Sequence, residues 1–280
     1  MSAAGVPVEP RFVASALPLH AMSYRLLCLD AGFTLLSPRR TLAEALSGVL
    51  AADGHAISEE EMRVAWEEAD RWFWDEYHRP GNDTWSDDGR IEEYWRRYHG
   101  VMLERLGLEA HHEMLDRILA SQFAADAWEP YPDVQPMLAE VQRQGVRIGI
   151  VSDWGSNLRG IVADLALDAY LDFVLPSGAV GVAKPNPAFF RLALDAAGVQ
   201  PHEAVMVGDS YRADVRGAWS AGMDAVWLDR REGVNITPSG EPIPDDVCRI
   251  HGLDELPAIV AAGGPLPRGQ VGVADPAASG

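Results

Sequence analysis

A short apolar run that ends on an acid constrains this chain more than any other feature. Residues 26–29, Leu-Leu-Cys-Leu, run directly into Asp30, with Gly32 and Thr34 close behind. An apolar run of that length, bounded by turn residues, reads as a buried strand. In an open α/β sheet, ligands bind beyond the carboxyl ends of the strands, which puts Asp30 at the mouth of the sheet. A lone Asp after a strand would read as a helix cap. Here the pattern recurs. Residues 146–151 form a β-rich run that delivers Ser152, and residues 204–208 form another that delivers Asp209.

From about residue 133 onward, strand-like and helix-like stretches alternate, with helices expected over 133–144, 156–165, 211–221 and 254–262. Alternation of this kind means a parallel sheet with right-handed crossovers. Earlier, Ser37 before Pro38 is the expected N-cap of a helix running to Leu50. From 40 to 127 the texture is helical throughout. Ser58 and Glu61 have the spacing of a capping box, opening a helix to Tyr77. Residues 78–89 are dense in Pro, Gly, Asn and Asp and read as a loop, followed by helices near 90–106 and 110–125. The expected organisation is a leader over 1–22, an α/β core from 23–39 and 128–262, a helical insertion over 40–127, and a disordered tail over 263–280.

The insertion carries Trp66, Trp72, Trp74, Trp85 and Trp95. Aromatics at helical spacing are mostly core. Trp85, in the breaker-rich loop, is the best placed to line a substrate pocket. A Trp-rich block also suits a homodimer surface, and the sequence alone does not separate the two.

Charge and composition exclude several classes. Lys and Arg number 23 against 42 Asp and Glu, a formal net charge of −19, which argues against a nucleic-acid partner and against an anionic membrane surface. Two cysteines, Cys28 and Cys248, make neither a disulfide framework nor a zinc pattern. No apolar stretch approaches the roughly 20 residues that cross a bilayer. Residues 1–22 lack a basic start and make a poor signal peptide, so the cytoplasm is the expected location.

The strand ends supply one chemical set: Asp30, Ser152, Lys184, and the pair Asp209 and Asp214. Three carboxylates converging on one sheet edge repel one another unless a cation neutralises them, and all-oxygen ligation suits Mg²⁺. A carboxylate is also an accepted nucleophile toward phosphorus. Ser152, Lys184 and backbone N–H groups after Asp30 would then stabilise the transferred charge. Lys184 is the only lysine in the chain, which weighs against a decorative role.

These residues resemble the motifs of the haloacid dehalogenase superfamily, in the branch whose helical cap lies between the first and second motifs. Residues 30–35, Asp-Ala-Gly-Phe-Thr-Leu, resemble the first motif, Ile-Val-Ser152 the second, Lys184-Pro185 the third and Gly-Asp-Ser-Tyr-Arg-Ala-Asp214 the fourth. The resemblance implies a Rossmann-like parallel sheet with an inserted α-helical cap domain, a Mg²⁺ requirement and phosphatase activity on a small phosphorylated metabolite. It makes Asp30 the nucleophile, with Ser152 and Lys184 catalytic beside it. Thr34, which helps fix the loop, and Asp153 join Ser152 and Lys184 in holding the phosphate, and Asp30, Asp209, Asp214 and the Gly32 carbonyl hold the metal.

One position departs from the pattern. Phosphatases of the family usually carry an Asp, acting as general acid and base, where this chain has Gly32. Losing such a group typically costs about 10²–10⁴-fold. Three explanations remain open: a leaving group that needs little protonation, a substitute acid among Glu76, His78 and Tyr211, or a catalytically weak protein that binds a phosphorylated ligand or a partner protein. A dehalogenase is disfavoured, because the fourth motif is built for metal. A phosphonate-cleaving enzyme is disfavoured because residues 40–127 contain no lysine for a Schiff base. No G-x-G-x-x-G follows the first strand, so dinucleotide binding is not expected.

Overall fold

The computed structural model of the chain describes residues 23–77, 79, 81–230, 244 and 246–268. The expected leader, His78 and most of the expected tail lie outside the described residues.

The frame is a six-stranded parallel sheet, built from β1 (Leu26–Leu29), β4 (Arg147–Ser152), β5 (Phe173–Pro176), β6 (Ala204–Gly208), β7 (Asp224–Leu228) and β8 (Arg249–Ile250) in the order β5-β4-β1-β6-β7-β8. β1 lies between β4 and β6, where successive strands change direction across the sheet. Such a reversal leaves a crevice at the carboxyl ends, the usual ligand site of this architecture. Leu29 is level with Ile150 on one side and Val207 on the other, so Asp30, Ser152 and Asp209 emerge side by side.

Every residue of β1 is buried. Alternation sends Leu27 and Leu29 to one face and Leu26 and Cys28 to the other, as expected for a strand covered on both sides. On the first face the layer is α5 (Val134–Arg143), α6 (Leu158–Asp164) and α10 (Leu256–Ala262). On the second it is α8 (Pro187–Ala197) and the short α9 (Gly217–Ser220), while α7 (Ser177–Val180) follows β5 directly. Asn186 caps α8 by accepting from the Ala188 N–H at 3.0 Å, and Gly198 ends it at a φ of 63°.

Between β1 and β4 the chain leaves the sheet for four helices: α1 (Leu42–Ala52), α2 (Glu59–Tyr77), α3 (Asp88–Arg105) and α4 (His112–Phe123). They bury a core of their own that includes Leu46, Leu50, Met62, Tyr98, Met102 and Ile118. The Ser58–Glu61 capping box opens α2 as its spacing predicts.

Three local expectations need correction. Ser37 does not cap α1. Thr41 does, in a capping box with Glu44, because residues 36–38 are drawn into β2 (Leu36–Pro38), which pairs antiparallel with β3 (Trp128–Pro130). This two-stranded ribbon joins the chain's exit from the sheet to its return. The helix expected over 211–221 starts with a π-helical turn, Tyr211–Arg216, before α9. The expected tail begins with ordered contacts. Leu266 N–H donates to Asp224 at 3.1 Å and Arg268 donates to the Gly222 carbonyl at 3.0 Å.

Candidate active site

Asp30 follows β1 and is anchored by its own N–H, which donates to the Val207 carbonyl at 2.9 Å. The chain then folds back sharply: Phe33 takes a left-handed φ of 54°, and the Leu35 and Leu36 N–H groups both return to the Ala31 carbonyl. For a residue with a side chain that conformation costs on the order of 1–2 kcal/mol, a local strain the surrounding contacts hold in place.

Lys184, after β5 and α7, reaches into the same space. Its Nζ lies 2.6 Å from Oδ1 of Asp30 and 2.6 Å from Oδ1 of Asp214. The π-helical turn sets Asp214: its other oxygen accepts from the Ser210 N–H at 2.9 Å, and Ser210 Oγ accepts from Ala213 N–H. Gly208 makes room for this, because a Cβ there would stand 2.1 Å from Asp214 Oδ2. Asp209 is held through its backbone carbonyl, which accepts from the Trp227 indole at 2.8 Å.

Carboxylate oxygens of Asp30, Asp209 and Asp214 all lie within 4.8 Å of one another. One ammonium facing three carboxylates leaves the cluster short of positive charge. Burial and the neighbouring Asp30 and Asp214 hold the Asp209 carboxyl well above its ordinary range. Burial likewise lifts Asp214 to about 6, against the pull of Lys184. Burial works to discharge Lys184, but Asp214, Asp30 and Asp153 outweigh it and hold the ammonium well above its usual value. The donor set is all oxygen and short of cation, which fits a hard divalent ion.

A cavity of about 1160 Å³ lies between the carboxyl ends of the sheet and the helical insertion, and Asp30, Gly32, Ser152, Asp153, Lys184, Asp209, Asp214 and Trp85 all line it. The structure therefore brings the residues expected to form the nucleophile, metal and phosphate sites into one space, Thr34 excepted. Thr34, expected at the phosphate, is fully buried and does not line the cavity; its hydroxyl points to Asp209 Oδ1 at 3.4 Å. Asp153 accepts from the Lys184 N–H at 2.9 Å, and burial lifts its carboxyl to about 7. Of the substitute acids, neither Glu76 nor Tyr211 lines the cavity. Glu76 pairs with Arg79, and Tyr211 is buried against Trp219 and Trp227.

Sequence reasoning missed three contributors. Arg230 grips Asp133 with two nitrogens at 2.9 Å, donates to the Thr34 carbonyl at 3.0 Å and lies over the Tyr131 ring, so it braces the loop after Asp30. Tyr77, at the end of α2, lines the cavity; burial and Asp153 push its phenol above the usual range. Trp154 lies two residues past Ser152, where proximity in the chain was the available signal.

The model of the haloacid dehalogenase-like hydrolases matches residues 24–222. The chain belongs to that family. Its haloacid dehalogenase-like frame is similar over 249 residues to the mouse (Mus musculus) haloacid dehalogenase-like hydrolase domain-containing protein 3, at 28% identity, covering 87% of this chain and 95% of that protein. A 101-residue stretch, 36% of this chain and 41% of the relative, is 45% identical to a phosphoserine phosphatase of Thermus thermophilus. Among solved structures, a haloacid dehalogenase-family phosphatase from Thermococcus onnurineus superposes with a TM-score of 0.56 at 26% identity, covering 85% of this chain and 99% of the other. No helix among the described residues is long and apolar enough to cross a membrane.

Proposed function

We propose that this protein is a Mg²⁺-dependent phosphatase that cleaves a small phosphorylated metabolite through an aspartyl-phosphate on Asp30. The observation that carries the reading is the meeting of Asp30, Asp209 and Asp214 around Lys184 at the mouth of the sheet. The phosphatase names of relatives support it.

Asp30, Asp209 and Asp214 would hold the ion, with the Gly32 carbonyl as a further ligand. When bound, Mg²⁺ supplies positive charge to the phosphoryl oxygens and lets three acids stay ionised together. An Asp30 oxygen attacks phosphorus. Lys184 offers its ammonium to the charge that spreads over the transferring oxygens, and Ser152, 2% exposed at the end of β4, offers a hydroxyl. Arg230 and the turn at Phe33 keep Asp30 aimed. A cytoplasmic location accompanies this reading.

A second reading, a catalytically weak protein that binds a phosphorylated ligand or a partner, is favoured by Gly32 alone. Orthophosphate release from an activated aryl phosphate separates the two, since such a leaving group needs no acid. Mg²⁺-dependent release that Asp30→Asn abolishes supports the phosphatase; none above that control in folded protein supports the binder.

A further inference from the structure

A Cβ on Gly32 would stand 3.3 Å from Cζ3 of Trp154. The indole of Trp154 thus crowds the space that an acidic side chain at position 32 would enter. Trp154 is held through its backbone and packed through its ring. Its backbone N–H donates to Ser177 Oγ at 3.1 Å, its carbonyl accepts from Gly178 N–H at 3.0 Å, and its ring meets Trp128 edge-on with centroids 4.6 Å apart. The substitution at 32 is therefore matched by packing around it, and the site is built without a proton donor there.

The cavity wall carries a second, independent observation. At about 1160 Å³ it exceeds the common range for small-molecule sites, so an alcohol as small as a hydroxy amino acid would leave most of it to water. Among the rings that line it are Phe73, Trp74, Trp85 and Trp95 from the helical insertion, and Trp128 and Trp154 from the core. Such rings favour stacked or edge-on contact with a planar aromatic group. Asp30, Lys184, Asp209 and Asp214 meet where the cavity reaches the carboxyl ends of the sheet, and Arg40, Arg212 and Arg230 are among the other charged residues that line it.

Resting on the phosphatase reading, we propose that the substrate is an aryl phosphate, the monoester of a planar, ring-bearing phenol. The phosphoryl group sits among the acids and Lys184, and the rings lie between the tryptophans. An Asp30 oxygen forms its bond to phosphorus as the bond from phosphorus to the phenolic oxygen breaks. The electron pair leaves with that oxygen as a phenoxide, which takes its proton from solvent, so no acid at position 32 is required. Water then attacks phosphorus, releasing orthophosphate and returning Asp30 as a carboxylate, with the spare proton going to solvent.

The test compares 2-naphthyl phosphate, 2-(2-naphthyl)ethyl phosphate and glycerol 1-phosphate with Mg²⁺-loaded full-length protein. Separately, 2-naphthylphosphonate and methylphosphonate are titrated against tryptophan fluorescence. The naphthyl ester is expected to exceed the naphthylethyl ester at least about 10²-fold in kcat/KM, the size of a missing general acid. Both ring-bearing esters are expected to show KM at least tenfold below that of glycerol 1-phosphate, and naphthylphosphonate is expected to bind at least tenfold more tightly than methylphosphonate. Equal kcat/KM for the two naphthyl esters would mean that another group, Asp153 first, delivers the proton, and would overturn the proposal. Equal binding of the two phosphonates would overturn it as well. No turnover of any ester sinks the phosphatase reading and the aryl-phosphate substrate with it. The phosphonate titration reads the cavity independently, so the two failures are distinguishable.

Discussion

Nζ of Lys184 lies 2.6 Å from Oδ1 of Asp214, with the two side chains 3% and 1% exposed. It lies equally close to Asp30. Among the described residues this buried ammonium is the cation paired with both Asp30 and Asp214, while the Lys184 backbone N–H holds Asp153. Lys184→Met would leave those acids facing one another. Breaking a buried ion pair from one side typically costs about 3–5 kcal/mol, and metal-free protein is expected to lose stability on that scale in urea unfolding. Mg²⁺ is expected to restore more stability to the variant than to the parent. A variant as stable as the parent without metal would contradict the role assigned to Lys184.

Gly32 and Trp154 predict a paired effect. Gly32→Asp alone crowds the indole and is expected to lower stability by about 1–3 kcal/mol without creating turnover of alkyl phosphates. Gly32→Asp combined with Trp154→Ala frees the space, and is expected to raise kcat/KM on 2-(2-naphthyl)ethyl phosphate relative to that on the aryl ester. Circular dichroism melts and steady-state rates on both esters measure this. A single Gly32→Asp variant that gains full alkyl phosphatase activity would show that Trp154 does not block the position.

Asp153 predicts a pH dependence. Its folded carboxyl is lifted by burial to about 7 from an ordinary 3.8, so the folded chain holds a proton there that the unfolded chain has released. The stability this gives is complete below the ordinary value and disappears as pH rises through about 7. Metal-free protein is therefore expected to melt at progressively lower temperature from about pH 4 to pH 7, and Asp153→Asn is expected to flatten that slope. Asp214, lifted to about 6, adds the same sign, and because metal ligation needs the ionised carboxylate, apparent Mg²⁺ affinity is expected to strengthen as pH rises through about 6. Melting temperatures that rise over this interval in metal-free protein would contradict the burial of these acids.

What the sequence disclosed follows from the contrast between apolar strands and the polar residues that end them. Asp30, Ser152 and Asp209 each close a β-rich run, and parallel pairing lines those ends up once β1 lies between β4 and β6. The Ser58–Glu61 box was equally visible, because a cap is a contact between near neighbours. Relations through space were not. β2 and β3 are three residues each, too short for any periodicity, and their pairing joins Pro38 to Trp128. Arg230 and Asp133 are 97 positions apart, and nothing in either neighbourhood announces the pair. Thr34 looked like a phosphate ligand because its motif was read along the chain, whereas the tight turn at Phe33 folds it inward, toward Asp209. Gly32 was legible as a departure, but the ring beside it comes from the loop after another strand.

In the proposed reaction Asp30 carries the phosphoryl group. The most direct measurement is acid quenching of the Mg²⁺-loaded protein during turnover of 2-naphthyl phosphate, followed by peptide mass spectrometry. The account predicts a phosphoryl group on the peptide containing Asp30, absent when Mg²⁺ is removed and absent in Asp30→Asn. Turnover with no acyl phosphate on that peptide, or with the phosphoryl group on another residue, would contradict it.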